Sequence, residues 1–256
     1  TLMSVVQAQA VLQKDHWELE HILIDGGSTD GTEAVVAKHA ATYGFCRWIS
    51  NITGGPYAAM NVGLHQAEGR YAHVLNSDDL LLDSEAYAAF LQAGHRSKAS
   101  VLLASIGYFR RPGRHLRSLW RVDPIPASAA EWRRQLARGL HYPHPGFIAD
   151  TEIYRQHSFD ENYSLSADYK LMQSILLAQS QEAPPMVCHR PLVAMAEGGT
   201  TGNWKAVLQG WRQLDAINQE LGIQASSIRR YGRKLKQRFR ALPQPILLPP
   251  LEVPES

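Results

Sequence analysis

The sequence predicts an α/β fold: a doubly wound, mixed but mostly parallel sheet flanked by helices. Three observations predict it. Short apolar runs of strand length alternate with segments of helical periodicity, the runs end in Gly- or Asp-rich turns, and 45% of the 256 residues are hydrophobic, enough for one large core. Sheets of this kind bind ligands beyond the carboxyl ends of their strands, and both acidic motifs of the chain fall at such ends.

In chain order, Thr1 opens what reads as the middle of a helix, with Leu2, Val5 and Val6 apolar. Residues 19–25 form a strand stopped by Gly26-Gly27, and Thr32 to Tyr43 form a helix with Val35, Val36, Ala40 and Tyr43 on one face. The pattern repeats with a strand from Arg47 to Ser50, a helix from Ala58 to Ala67, and a strand from Tyr71 to Asn76 that runs into Ser77-Asp78-Asp79. Asp83 or Ser84 caps the next helix, which runs to Gln92 and stops at Gly94. Val101 to Ile106 is another strand. From Tyr108, Arg110, Arg111, Arg114, Arg117 and Arg121 alternate with turn residues as in an exposed insertion. A helix after Asp168 carries Leu171, Met172, Ile175 and Leu176; a loop spans Gly198 to Gly202; an amphipathic helix carries Val207, Trp211, Leu214 and Leu221. Pro243 to Ser256 has five prolines and no periodicity, which predicts an extended tail.

Charge and cysteine content narrow the function classes. Lys and Arg number 26 against 24 Asp and Glu, a net +2 that does not suggest a general nucleic-acid binder, and none is expected as a partner. Residues 229–240 concentrate Arg229, Arg230, Arg233, Lys234, Lys236, Arg238 and Arg240 without an acid, leaving the rest of the chain net acidic. Such a stretch fits an anionic membrane surface, at about 1 kcal/mol per basic residue, and equally a solubilising helix. Cys46 and Cys188 are too few for a disulfide scaffold and have no metal-ligand spacing around them, which suits a reducing compartment. No apolar run approaches the ~18 to 20 residues of a membrane span. The expectation is a cytoplasmic protein, either free or peripheral on the inner face of the membrane.

Two motifs carry chemistry. In Asp25-Gly26-Gly27-Ser28-Thr29-Asp30-Gly31-Thr32, glycines allow backbone to approach a ligand, hydroxyls offer hydrogen bonds, and the following helix presents free N–H groups. An ordinary turn in which Asp30 or Thr32 caps the helix explains the same residues. In Asn76-Ser77-Asp78-Asp79, adjacent carboxylates repel unless a cation or ligand hydroxyls relieve them, and hard cations such as Mn²⁺ or Mg²⁺ take such oxygens together with phosphate. A solvated turn is the competing reading.

The two motifs in this order, with Tyr57-Ala58-Ala59-Met60-Asn61 between them and His144-Pro145-Gly146-Phe147, Phe159-Asp160-Glu161, Ser166-Ala167-Asp168-Tyr169 and Gly198-Gly199 after them, resemble the family 2 glycosyltransferases. That resemblance implies the GT-A fold, a Rossmann-like mixed sheet, and inverting transfer from a nucleotide-sugar, with a UDP-sugar the expected donor, to a glycan or glycolipid. It implies nucleotide-sugar contacts at Asp25, Gly27, Ser28, Asp30, Asn61 and Asp78, a Mn²⁺ or Mg²⁺ ligand at Asp79, and the catalytic base at Asp168; by itself an Asp opening a helix is an N-cap. His144 is a weaker expectation for the acceptor pocket. The layout implies one domain over residues 1–225, with a nucleotide-sugar half at 1–107 and an acceptor half at 108–225, then a tail at 226–256. Two departures stand out. Ala58 replaces an acid frequent in relatives, and Thr1 to Val5 matches the helix that follows the family's opening strand, so either that strand lies upstream of Thr1 or it is absent and the donor site incomplete. Competing readings are a non-catalytic sugar-nucleotide binder and, through Asp-Gly-Gly-Ser-Thr, an actin-like ATPase or sugar kinase, whose loop lies between two strands of a hairpin.

Overall fold

The computed structural model describes residues 1–111, 113, 115–178, 184–197, 204–224, 246 and 248. Its elements are α1 (Leu2–Lys14), β1 (His21–Ile24), α2 (Thr32–Thr42), β2 (Cys46–Ile49), α3 (Pro56–Gln66), β3 (Tyr71–His73), β4 (Leu80–Leu81), α4 (Ser84–Arg96), β5 (Val101–Phe109) and β6 (Leu116–Trp120). These are followed by α5 (Ala129–Ala137), a 3-10 turn (His144–Gly146), β7 (Phe147–Asp150), α6 (Thr151–Gln156), α7 (Ala167–Ala178), β8 (Met186–Ala196) and α8 (Trp204–Glu220).

Strand β5 is the spine. All nine of its residues are buried, because Val101 and Leu103 face a core closed by α5 and α7 while Leu102, Ala104 and Ile106 face one closed by α1 and α4. The six-stranded sheet runs β3-β7-β5-β8-β4, with β6 also on β5, and β1 and β2 form a separate parallel pair. An α/β fold with a mixed sheet between helices is therefore present, but with a different balance of directions from the one expected. Only β5/β8 and β1/β2 are parallel among the described pairings. Strand β6 returns from β5 as a hairpin, and β7 enters between β3 and β5 in the opposite sense. Strands β1 and β3 do not pair; a cavity of about 1210 Å³ separates them, walled by residues 21–24 and 71–76.

Several local expectations are corrected. Helix α4 does not stop at Gly94 but continues to Arg96; a Cβ on Gly94 would lie 2.5 Å from Leu102 Cδ2, so the glycine serves helix–strand packing. The arginine-rich region is not an exposed insertion: β6 buries Leu116, Leu119 and Trp120 and leaves Arg117 outside. On α2, Val35 is 60% exposed while Val36 and His39 are buried. Trp211 on α8 is 38% exposed, whereas Ile217 is buried. The tail is partly docked, since Leu248 is buried against Leu116 and Phe109 and the Leu116 N–H donates to the Ile246 carbonyl. A division at residue 107 falls inside β5, and strands from both halves share the sheet. The Gly198–Gly202 loop and the basic stretch 229–240 lie outside the described residues.

Candidate active site

The first motif forms where β1 ends. Asp25 is buried, and its Oδ2 accepts from the Gly27 and Ser28 N–H groups, both at 2.9 Å, while the Ser28 hydroxyl donates to Oδ1. Gly27 holds φ +90°, a backbone conformation that L side chains rarely adopt. The Ser28 hydroxyl first, then the two N–H groups, hold the Asp25 carboxyl below the usual carboxylate range. Asp25 thus shapes its own loop. Its neighbours Ser28, Asp30, Gly31 and Thr32 share the wall of the central cavity with Asn76 and Ser77 of the second motif. Asp30 accepts from the Thr32 N–H at 3.2 Å and hydroxyl at 2.7 Å, so it fixes the start of α2.

The second motif is a turn in which Ser77 is exposed and Asp79 buried. Asp79 is 1% exposed; its carboxylate accepts from Asn76 Nδ2 at 3.0 Å and, across the β4/β8 pairing, from the Ala196 N–H at 3.3 Å. Burial first, with the Asp78 carboxylate adding to it, raises the Asp79 pKa to about 6 against the hydrogen bond from Asn76. No cationic side chain reaches it in an ion pair among the described residues. The Thr1 ammonium opposes the rise through its charge, but a buried carboxylate beside a second one, with no cationic side chain paired to it among the described residues, still matches the oxygen donor set of a hard divalent cation.

The third cluster surrounds Asp168, in the first turn of α7. The Tyr57 hydroxyl donates to Asp168 Oδ1 at 3.1 Å, and burial first, then the Asp168 charge, raises the Tyr57 pKa, keeping the phenol protonated as donor. Tyr57 stacks on Phe159 at 5.4 Å between ring centroids, and His144 meets the same ring edge-on at 5.6 Å. His144 is buried, and its Nε2 has no hydrogen-bond partner among the described residues; burial lowers its pKa, opposed by Asp168. Asn61, expected at the donor, commits its amide elsewhere: Nδ2 donates to the Phe159 carbonyl and Glu161, and Oδ1 accepts from the Phe159 N–H, all at 2.9 Å. It clamps the 159–161 segment to α3. Helix α3 carries both faces, with Ala59, Met60 and Gly63 toward the cavity, Tyr57 toward Asp168 and Asn61 toward Phe159.

The model of the family Glycosyl transferase family 2 matches residues 5–162. The chain belongs to this family. It is 28% identical over 232 residues to two uncharacterized glycosyltransferases of Mycobacterium tuberculosis, MT1564 of strain CDC 1551 and Rv1514c of strain H37Rv, covering 89% of this chain and 80% of theirs. Among solved structures, the mannosyltransferase PcManGT from Pyrobaculum calidifontis, in complex with GDP-Man and Mn²⁺, superposes with a TM-score of 0.53 at 13% identity. The match covers 92% of this chain and 63% of that one, and it shows a shared GT-A glycosyltransferase fold. Family membership sets aside the actin-like reading; in this glycosyltransferase Asp-Gly-Gly-Ser-Thr indeed leads into a helix. Sequence reasoning missed Tyr57 and Ala196 as partners of Asp168 and Asp79. Their separations of 111 and 117 residues leave no local signal, although Tyr57 sits in a motif already singled out.

Proposed function

We propose that this family 2 glycosyltransferase is metal-dependent and inverting, moving a sugar from a nucleoside-diphosphate sugar to a hydroxyl of a glycan or glycolipid. The observation that carries the reading is the buried Asp79 carboxylate, uncompensated by a cationic side chain among the described residues and held next to a segment that shares a cavity with the Asp25 loop. Asp79, with Asp78 beside it, would hold Mn²⁺ or Mg²⁺. When bound, that cation offsets charge on a leaving diphosphate.

The chain's own residues do the rest. The Asp25 loop presents Ser28 and the start of α2 to the nucleotide. Asp168, oriented by Tyr57, accepts the proton of the acceptor hydroxyl as that oxygen attacks the anomeric carbon from the face opposite the leaving group. The Phe159 ring, met edge-on by His144, stacks on Tyr57 and supports the donor to Asp168. The experiment is turnover of a panel of UDP- and GDP-sugars with Mn²⁺, Mg²⁺ or EDTA. Transfer is expected only with metal, to be abolished in Asp79→Ala, and to fall about 10²- to 10⁴-fold in kcat in Asp168→Asn. Full turnover in EDTA overturns the metal role, and wild-type kcat in Asp168→Asn assigns the base elsewhere. No helix among the described residues is long and apolar enough to cross a membrane. We assign contact with an anionic lipid surface to residues 229–240; replacing their Lys and Arg by Gln is expected to abolish co-sedimentation with anionic vesicles, and unchanged co-sedimentation refutes it.

A further inference from the structure

We propose that His21, His39 and Cys46 form a second metal site, for a borderline-soft divalent ion of the Zn²⁺ class, separate from the carboxylate site at Asp79. The sequence gives no hint of it, because the three residues come from three elements. His21 and Cys46 are register partners at the amino-terminal ends of the parallel strands β1 and β2, so their side chains share one sheet face. His39 comes from the last turn of α2, and the turn that follows fixes its spacing to Cys46, with the Tyr43 N–H donating to the His39 carbonyl and the Cys46 N–H to the Tyr43 carbonyl.

The ligand atoms of all three residues lie within 4.8 Å of one another. Bonds of about 2.0 to 2.3 Å in a tetrahedral shell separate ligand atoms by about 3.5 Å, so little more than about 1 Å of side-chain movement closes the site. His39 and Cys46 are 7% and 8% exposed. His21 Nδ1 and His39 Nε2 are both buried without a hydrogen-bond partner among the described residues. Two unsatisfied ring nitrogens on adjoining side chains are costly to bury unless something takes their lone pairs or protons. A metal ion would use both at once. The donor set of two imidazoles and a thiol selects Zn²⁺ over Mn²⁺ and Mg²⁺, which take oxygen. Binding would convert the Cys46 thiol to thiolate and release its proton to solvent. His21 also lines the central cavity, which supplies an entry path and room for a fourth ligand such as water. The site lies a strand's length from Asp25, about 13 Å at ~3.3 Å per residue, so it would stiffen the β1–α2–β2 unit without touching the donor.

The test uses the full, metal-stripped chain in a Cys188→Ser background, titrated with Zn²⁺ alone and separately with Co²⁺. The expected result is one equivalent of Zn²⁺ bound in the presence of a hundredfold excess of Mg²⁺, and a near-ultraviolet thiolate-to-cobalt band. Cys46→Ser should abolish the band, and both it and His39→Gln should weaken Zn²⁺ binding at least tenfold; His39→Gln alone decides if Cys46→Ser does not fold. Asp79→Asn should leave Zn²⁺ binding unchanged. Absence of Zn²⁺ binding, undiminished binding in the ligand variants, or its loss in Asp79→Asn overturns the proposal. Because the readout is metal binding and not transfer, its failure is distinct from failure of the glycosyltransferase reading.

Discussion

The hydrogen bond from Tyr57 to Asp168 is directed at a carboxylate, a type worth about 1.5 to 3 kcal/mol when lost. Tyr57→Phe keeps the stacking on Phe159 and removes only that donor. The expected outcome in steady-state kinetics is a kcat lower by about tenfold with the donor KM unchanged, since Tyr57 lies on the face of α3 away from the cavity. Asp79 carries a second prediction at this scale. In its proposed role as metal ligand Asp79 must be ionised, so its raised pKa of about 6 predicts that transfer falls as pH drops through that value. Cation and proton compete for the same oxygens, so pH profiles at low and saturating Mn²⁺ should show the acidic limb moving to lower pH with more metal. The aspartates were legible in the sequence because each follows an apolar run or opens a helix. Their commitments were not: Asp25 and Asp30 spend their carboxylates on the turn itself, and only three-dimensional placement distinguishes that from ligand contact.

Elements were legible where one cause acted alone. The helix after Asp168 and the strand from Val101 follow from periodicity, whereas Gly94 had two possible causes, helix termination or close packing, and the second applies. Substitution separates it from Gly146, whose added Cβ would lie 2.1 Å from the Ala104 carbonyl oxygen. At Gly94 the obstacle is the end of a leucine side chain, which can move, so Gly94→Ala is expected to cost about 1 to 3 kcal/mol. At Gly146 the obstacle is the backbone of the central strand. Gly146→Ala is therefore expected to lower the Tm by more than Gly94→Ala, as read by differential scanning calorimetry.

At the scale of the whole molecule, alternation of strands and helices predicted an α/β fold but not the direction of pairing. Hydrophobic pattern shows that a strand is buried and says nothing of which neighbour it adopts; β7, inserted between β3 and β5, is the case in point. That junction also sets the response to acid. His73 of β3 donates from Nε2 to the Pro145 carbonyl at 2.9 Å, which leaves Nδ1 to accept from the Tyr87 hydroxyl at 3.0 Å, so the ring is built in as neutral. Burial first lowers its pKa to about 4. Below about pH 6.5 the unfolded chain takes up a proton that the folded chain refuses until about pH 4, so stability falls with pH across this window, by roughly 3 kcal/mol at most. Urea unfolding in EDTA at pH 7 and pH 5 should show the loss, and His73→Gln should reduce it.

Helix α3 faces the central cavity with one set of side chains and reaches Asp168 with another, Tyr57. Any roll of this rod that makes room on one side tightens the other, so under the proposed function choice of donor and activation of acceptor would be mechanically geared. Laboratory selection for a bulkier donor sugar should therefore return second changes around Phe159 and Glu161, on the far side of the rod from the sugar.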